Sequence, residues 1–189
     1  MDNDRVLIAS TDSPPVVRSF DEADAVFRSQ IQHNLAVAYR LAAVILGSPT
    51  EAEDATQDAL EHAWRSRHQL REPDRFQAWF QRILVNACRD RVRRHRARPL
   101  LLTINGREEI APPRSGTPHD PFAETAERDA LSRALDRINV DQRIVIALRF
   151  YLDLEIDEIG RRIGVSPGTV KSRLHRGLKE LRHAWEAVQ

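Results

Sequence analysis

Seven side chains near the C-terminal end of the sequence have the types and spacing to bind a polyanion. Thr169, Lys171, Ser172, Arg173, His175, Arg176 and Lys179 fall on one side of a stretch whose other side repeats Val170, Leu174, Leu178, Leu181 and Trp185 at helical spacing. Each of the seven can donate a hydrogen bond, and the arginine fork matches both phosphate oxygens and a guanine edge. Between Arg161 and His183 seven Lys and Arg stand against one acid, Glu180, a net of +6. A solvated basic face on any amphipathic helix would share that outline, so the turn before it decides the reading. In IDEIGRRIGVSPGTVKSRLHRGLKELR, residues 156–182, Ile156, Ile159 and Ile163 predict a short first helix and Gly164 ends it. Ser166 can then cap a second helix whose first position is Pro167, where the missing N–H costs nothing. A helix-turn-helix places such a second helix in the DNA major groove, so duplex DNA is the expected ligand.

Two further charge blocks lie upstream. Residues 82–98 hold seven arginines and one acid, Asp90, again a net of +6, which points to nucleic acid. Residues 51–61 hold Glu51, Glu53, Asp54, Asp58 and Glu61 with no basic residue among them. Acids favour a helix start, but five in eleven residues exceed what the helix dipole needs. A docking face for a basic partner, plain solvation, and a carboxylate metal site through Asp54, Asp58 and Glu61 all remain open. The metal reading lacks a histidine and a second acidic helix.

The elements that carry these groups are all helical. Residues 21–47 place Val26, Phe27, Ile31, Leu35, Ala38, Leu41, Ala42 and Ile45 at three-and-four spacing, and Gly47-Ser48-Pro49 ends the run. Thr50 and Glu53 match a capping box for a helix to about residue 66, with Ala55, Ala59, Ala63 and Trp64 inward. After a polar loop over 67–74, a helix from 75 to about 95 carries Phe76, Trp79, Phe80, Ile83, Leu84 and Ala87, continued weakly by Cys88 and Val92. Prolines 99, 112, 113, 118 and 121 then mark a linker that also holds the apolar run Leu100, Leu101, Leu102 and Ile104. Beyond it Ala130, Leu131, Ala134, Leu135 and Ile138 form one face. Asp141 is positioned to cap a helix with Ile144, Val145, Leu148 and Tyr151 inward. The fold class expected is all-α: two small helical domains joined by a flexible linker. The boundaries read as a tail over 1–20, a helical bundle over 21–97, a linker over 98–125 and a helix-turn-helix domain over 126–189.

Composition narrows the function classes. The 189 residues carry a net charge of only +1, so charge is segregated rather than uniformly basic. Cys88 is the sole cysteine, which leaves no internal disulfide and no cysteine-based zinc site, and the seven histidines do not fall in a ligand pattern. No metal, cofactor or catalytic residue is expected, and with no phosphate-cradling glycine loop no nucleotide hydrolysis is implied. No apolar run reaches membrane-spanning length, and the acidic opening MDND is unlike a secretory signal, so no membrane insertion and a cytoplasmic location are expected.

With these residues in place, the chain resembles the extracytoplasmic-function sigma factors, small bacterial subunits that retain two of the sigma domains. EAEDATQDALEHAW at 51–64 looks like the family's polymerase-binding helix, and FQAWFQRILVNACRDRVRR at 76–94 like its promoter-melting region. DQRIVIALRFYLDLEIDEIGRRIGVSPGTVKSRLHRGLKELR, from Asp141, looks like the domain that reads the minus-thirty-five element. The resemblance implies that the protein is not itself an enzyme, and that its partners are core RNA polymerase, through the β′ and β subunits, and promoter DNA, both duplex and single-stranded. An anti-sigma factor is a further partner usual for the family, though no residue here requires one. Asp54, Gln57, Asp58 and Glu61 would dock on the β′ coiled coil. Leu70, Arg71, Glu72 and Asp74 would lie in the loop that holds a base flipped from the minus-ten element. Arg75, Arg82, Asn86, Arg89, Arg91, Arg93 and Arg94 would hold the strand and its duplex edge. Ser166, Thr169, Lys171, Ser172, Arg173 and Arg176 would meet the minus-thirty-five duplex, with Arg173 or Arg176 on a guanine.

Three positions depart from the family pattern. Ile138-Asn139 stands where Leu-Pro is usual, Glu155 where a capping Ser is common, leaving a looser start or a cap from Asp153, and Gly160 where Ala is usual. Two rivals use the same residues. A duplex-binding helix-turn-helix regulator would need no docking helix, and its DNA binding would survive charge reversal at Asp54 and Asp58. A metal-dependent nuclease would cleave labelled DNA in magnesium.

Overall fold

A computed structural model describes residues 17–70, 72–104 and 126–187, with side-chain surroundings over 24–70, 72–95 and 130–187. The described residues form helices α1 (Val17–Leu46), α2 (Pro49–Ser66), α3 (Phe76–Ile104), α4 (Ala126–Asp136), α5 (Val140–Phe150), α6 (Ile156–Ile163) and α7 (Pro167–Glu186). Two 3-10 turns, Arg67–Gln69 and Pro73–Arg75, join α2 to α3. The all-α expectation stands.

Several boundaries move for local reasons. Helix α1 begins four residues before the expected start, at Val17; the remainder of the proposed tail lies outside the described residues. Ser48, not Thr50, caps α2: its hydroxyl accepts from the Glu51 N–H and Pro49 takes the first turn. Asn139, not Asp141, caps α5, accepting from the Asp141 N–H while Gln142 reaches back to the Asn139 N–H at 3.1 Å. The departure from Leu-Pro therefore supplies a capping box of its own. Helix α3 runs through Pro99 to Ile104 instead of fading near residue 95. One proline forfeits one backbone bond, and the Leu-rich segment after it favours helix. The expected linker over 98–125 is therefore helical in its first seven residues, and its remainder, 105–125, lies outside the described residues.

Helices α1, α2 and α3 pack on one another. On α2 the inward positions Ala52, Ala55, Ala59 and Ala63 are fully buried, and such small residues let neighbouring backbones approach closely. Trp64, expected inward, is 39% exposed. Val26 and Leu35 on α1, Leu131 on α4, Tyr151 just past the end of α5 and Leu178 on α7 are likewise exposed rather than core. On α7 the buried line is instead Val170, Gly177 and Ala184. Gly177 admits α5 closely, since a Cβ there would sit 2.9 Å from Cβ of Gln142.

The helix-turn-helix is α6 and α7. Gly164 adopts φ +72° and closes α6, and Ser166 accepts from the Thr169 N–H at 3.2 Å. Glu155 precedes α6 without a side-chain cap, as expected from its type, and Asp153 supplies none in its place. Gly160 differs from expectation. Helix propensity alone favours alanine there by up to about 1 kcal/mol. A Cβ on Gly160, however, would lie 2.8 Å from the carbonyl oxygen of Val165, a backbone atom of the turn. Gly160→Ala is therefore expected to lower stability by about 1 kcal/mol, read as a lower melting temperature, because the turn must shift to admit the methyl group.

Candidate protein-docking and nucleic-acid interfaces

The acidic block on α2 does not face solvent uniformly. Arg91 of α3 reaches across with its whole guanidinium. Its Nε donates to Glu51 at 2.7 Å, its Nη1 to Asp58 at 3.1 Å, and its Nη2 bonds Asp54. Arg94 adds a contact to Asp58 at 3.2 Å, and His95 Nε2 lies 2.8 Å from the second oxygen of Glu51. The Arg91 side chain is only 16% exposed. Burial works against ionisation of Glu51, yet the hydrogen bonds from Arg91 and His95 outweigh it and hold the carboxyl below its ordinary value. A cation between Asp54 and Asp58 is thus already present as a guanidinium, while Glu61 turns away to Arg65 at 2.7 Å. That arrangement speaks against a metal site there. The exposed positions of α2 are Thr50, Glu53, Gln57, Glu61, His62, Trp64 and Arg65. The guanidinium of Arg67 lies over Trp64, 4.3 Å from its ring centre, so this exposed aromatic carries a cation on its face.

The loop between α2 and α3 is anchored by aromatic packing. Phe76 lies at the centre, edge-on to Phe27 at 5.5 Å, stacked on Phe80 at 5.6 Å and tilted on Trp79 at 5.9 Å. Leu70 packs partly buried against this core, while Glu72, Asp74 and Arg75 are exposed and Glu72 pairs with Arg75 at 2.7 Å. Arg71 lies outside the described residues.

Along α3 the expected nucleic-acid contacts divide. Arg82, Asn86, Arg93 and Arg94 are exposed, and Arg93 pairs with Asp90 of its own helix. Arg91 is committed to α2, and Arg89 donates to Asp141 of α5 at 2.8 Å. Cys88 is buried beneath them, and burial pushes its thiol up to about 12, so it stays protonated. On α7, Lys171, Ser172 and Arg176 are exposed, with Arg176 folded onto the Ser172 carbonyl at 3.3 Å. Thr169 and Ser166 share the cap, their hydroxyls 2.9 Å apart. Arg173 is different: its side chain is 23% exposed and pairs with Asp141 at 3.1 Å.

Sequence reading missed Arg143, Arg162 and Gln81, which join the two halves of the chain. Arg143 Nη1 donates to the Ile45 carbonyl at 2.8 Å, and Arg162 bonds Gln81. An arginine at a position of apolar helical period was the one available signal for Arg143; nothing local marks the other two.

Comparison with known proteins agrees in order and extent. Sigma-70 region 2 matches residues 30–98 and Sigma-70, region 4 matches residues 128–181. The ECF RNA polymerase sigma factor SigE of Mycolicibacterium smegmatis is 34% identical over 156 residues, spanning 80% of this chain and 60% of that protein. SigM of Mycobacterium tuberculosis is 34% identical over 143 residues, 76% of this chain and 68% of that one. The RNA polymerase sigma factor SigV of Bacillus subtilis is 31% identical over 144 residues, 76% of this chain and 81% of that one. Among solved structures, the sigma factor RpoE bound to the anti-sigma factor NepR from Bartonella quintana aligns with a TM-score of 0.66 at 22% identity, covering 85% of this chain and 96% of that one. CnrH in complex with the cytosolic domain of CnrY aligns with a TM-score of 0.57 at 24% identity, covering 90% and 96%. These two likenesses concern the fold.

Proposed function

Because the chain belongs to the ECF sigma factors of RNA polymerase, we propose that it binds core polymerase and directs it to a subset of promoters. It adds specificity and strand opening to an enzyme and performs no catalysis of its own. The observation that carries this reading is the joint presence of regions 2 and 4, in order, with an exposed basic face on α7. Residues 21–97 would form the polymerase-docking and minus-ten domain, with α3 continuing to Ile104 where the linker was expected to begin, and 126–189 the minus-thirty-five domain.

The outward side of α2 is the docking surface in this reading, with Gln57 and Glu61 open to the β′ subunit. Asp54 and Asp58 remain 47% and 43% exposed and keep carboxylate oxygens available beside Arg91. In the minus-ten domain, Arg75, Arg82, Asn86, Arg93 and Arg94 are exposed and would meet a strand backbone, and the segment from Leu70 to Asp74 would hold the flipped base. In the minus-thirty-five domain, Lys171 and Ser172 suit phosphates and Arg176 suits a guanine edge, worth about 1–3 kcal/mol of discrimination. An anti-sigma factor is a further expected partner, as RpoE of Bartonella quintana has in NepR. Among the described residues no helix is long and apolar enough to cross a membrane.

Run-off transcription with core polymerase on a pool of genomic fragments tests the reading. Addition of the protein is expected to create start sites absent with core enzyme alone. No new start sites, from protein shown to be folded, rejects it.

A further inference from the structure

Arg91 stands on the side of α3 away from the exposed arginines. Arg82, Asn86 and Arg93 are exposed along one line of that helix. Arg91 follows Arg82 by nine residues, about two and a half turns, and so points the opposite way. It extends the buried line of Leu84 and Cys88, at helical spacing, and on that side it meets α2.

The contact is specific in the atoms it uses. Each guanidinium nitrogen takes a different carboxylate: Nε that of Glu51, Nη2 that of Asp54 and Nη1 that of Asp58. These three acids lie at three- and four-residue steps, one line along the helix. His95 takes the remaining oxygen of Glu51, so both oxygens of that carboxylate are occupied. Asp54 and Asp58 are held differently. Both are gripped by Oδ2, with Arg94 joining Arg91 on that same oxygen of Asp58. Neither Oδ1 takes a bond among the described residues. Two half-exposed aspartates one turn apart are thus fixed by one oxygen each and keep the other open. A side chain that is already fixed loses less freedom when a partner binds it.

We propose that Arg91 is a positioning residue for polymerase docking: it fixes Asp54 and Asp58 so that their Oδ1 atoms can receive basic side chains of the partner, and it takes no part in holding the DNA strand. This rests on the docking reading of α2 given above. The sign of the effect separates positioning from plain charge attraction. Removing Arg91 makes the α2 surface more acidic, which by charge alone would strengthen its pull on a basic partner. Loss of positioning weakens it instead.

The test measures binding of the full chain to core polymerase, at a temperature where circular dichroism shows every variant folded. Arg91→Gln is expected to weaken binding about fivefold to tenfold. Arg91→Lys is expected to recover part of that loss, because it restores the charge but not the planar fork. Arg40→Gln removes the same charge from an exposed side chain of α1 bonded to its own helix, and is expected to change binding less than about twofold. The deciding comparison places Arg91→Gln in a chain already carrying Asp54→Ala and Asp58→Ala. All four chains of that cycle are read at one low salt concentration, where weakened chains still bind. There the added substitution is expected to change binding less than about twofold, since the groups it acts through are gone. Unchanged or tighter binding by Arg91→Gln alone overturns the positioning and leaves the acids as plain charge. An equal loss with and without the two aspartates overturns it too, because the arginine would then act only through stability. A fall in single-stranded DNA affinity beyond that of Arg40→Gln would return Arg91 to the strand and likewise overturn it. An unaltered chain that does not bind core polymerase rejects the sigma reading and the positioning with it, a result distinct from binding that Arg91→Gln leaves intact.

Discussion

Arg91→Ala is expected to destabilise the first domain by about 2–3 kcal/mol, measured by chemical denaturation near neutral pH. The guanidinium is mostly buried and touches Glu51, Asp54 and Asp58 at once. Its removal leaves three carboxylates on adjacent turns of α2 without their shared cation, with Arg94 and His95 to partner two of them. Breaking a buried pair costs about 3–5 kcal/mol, and the lower figure follows because Asp54 and Asp58 are nearly half exposed. Arg91→Lys is expected to recover only part of the loss, since a point charge cannot span three acceptors as a planar fork does. A purely DNA-contacting arginine would behave oppositely, weakening DNA binding while the denaturation midpoint stayed within about 0.5 kcal/mol. The clasp also has a pH signature. Glu51 ionises below its ordinary value of 4.5 when folded, so its contribution is fully present above that pH and lost as pH falls through the folded value. Arg91→Ala should flatten this acid limb of the stability curve.

The pattern of apolar residues made the helices legible. Ile156, Ile159 and Ile163, the stop at Gly164 and the Ser166-Pro167 start all read directly, because capping and periodicity act within a few residues. Charge blocks were legible as blocks but not in their pairing. Nothing within reach of Arg91 along the chain shows that it bonds Asp58 thirty-three positions earlier, since the relation is created by helix packing. The same limit explains Asp141, read as a cap. It stands at the correct helix end, but Asn139 fills the cap and frees its carboxylate for Arg89 and Arg173. Gly160 shows the reverse case, where local propensity names alanine and a tertiary close approach overrules it. Trp64 and Leu178 fit apolar stripes yet are exposed, because the buried lines pass through their neighbours, Ala63 on α2 and Gly177 on α7.

Phe76→Ala is expected to cost about 3–5 kcal/mol, the usual range for removing a fully buried phenyl ring. Phe76 is 1% exposed, and its ring meets Phe27, Trp79 and Phe80, so the void opens at the centre of the cluster rather than its rim. Aromatic pairs contribute about 0.5–1.5 kcal/mol beyond burial, which places the loss toward the upper end. Phe76→Leu keeps most of the volume and is expected to cost less than about 2 kcal/mol. The position gives the substitution a functional reading as well. Phe76 is the first residue of α3 and immediately follows the Pro73–Arg75 turn, so its ring fixes where the 70–75 loop emerges. In the proposed function that loop must hold an extruded base, and extrusion is driven only by contacts already in position. At a temperature where circular dichroism shows Phe76→Leu fully folded, run-off transcription should fall while duplex DNA binding through α7 is kept. Equal loss of both would mean that the loop has no separate part in promoter opening.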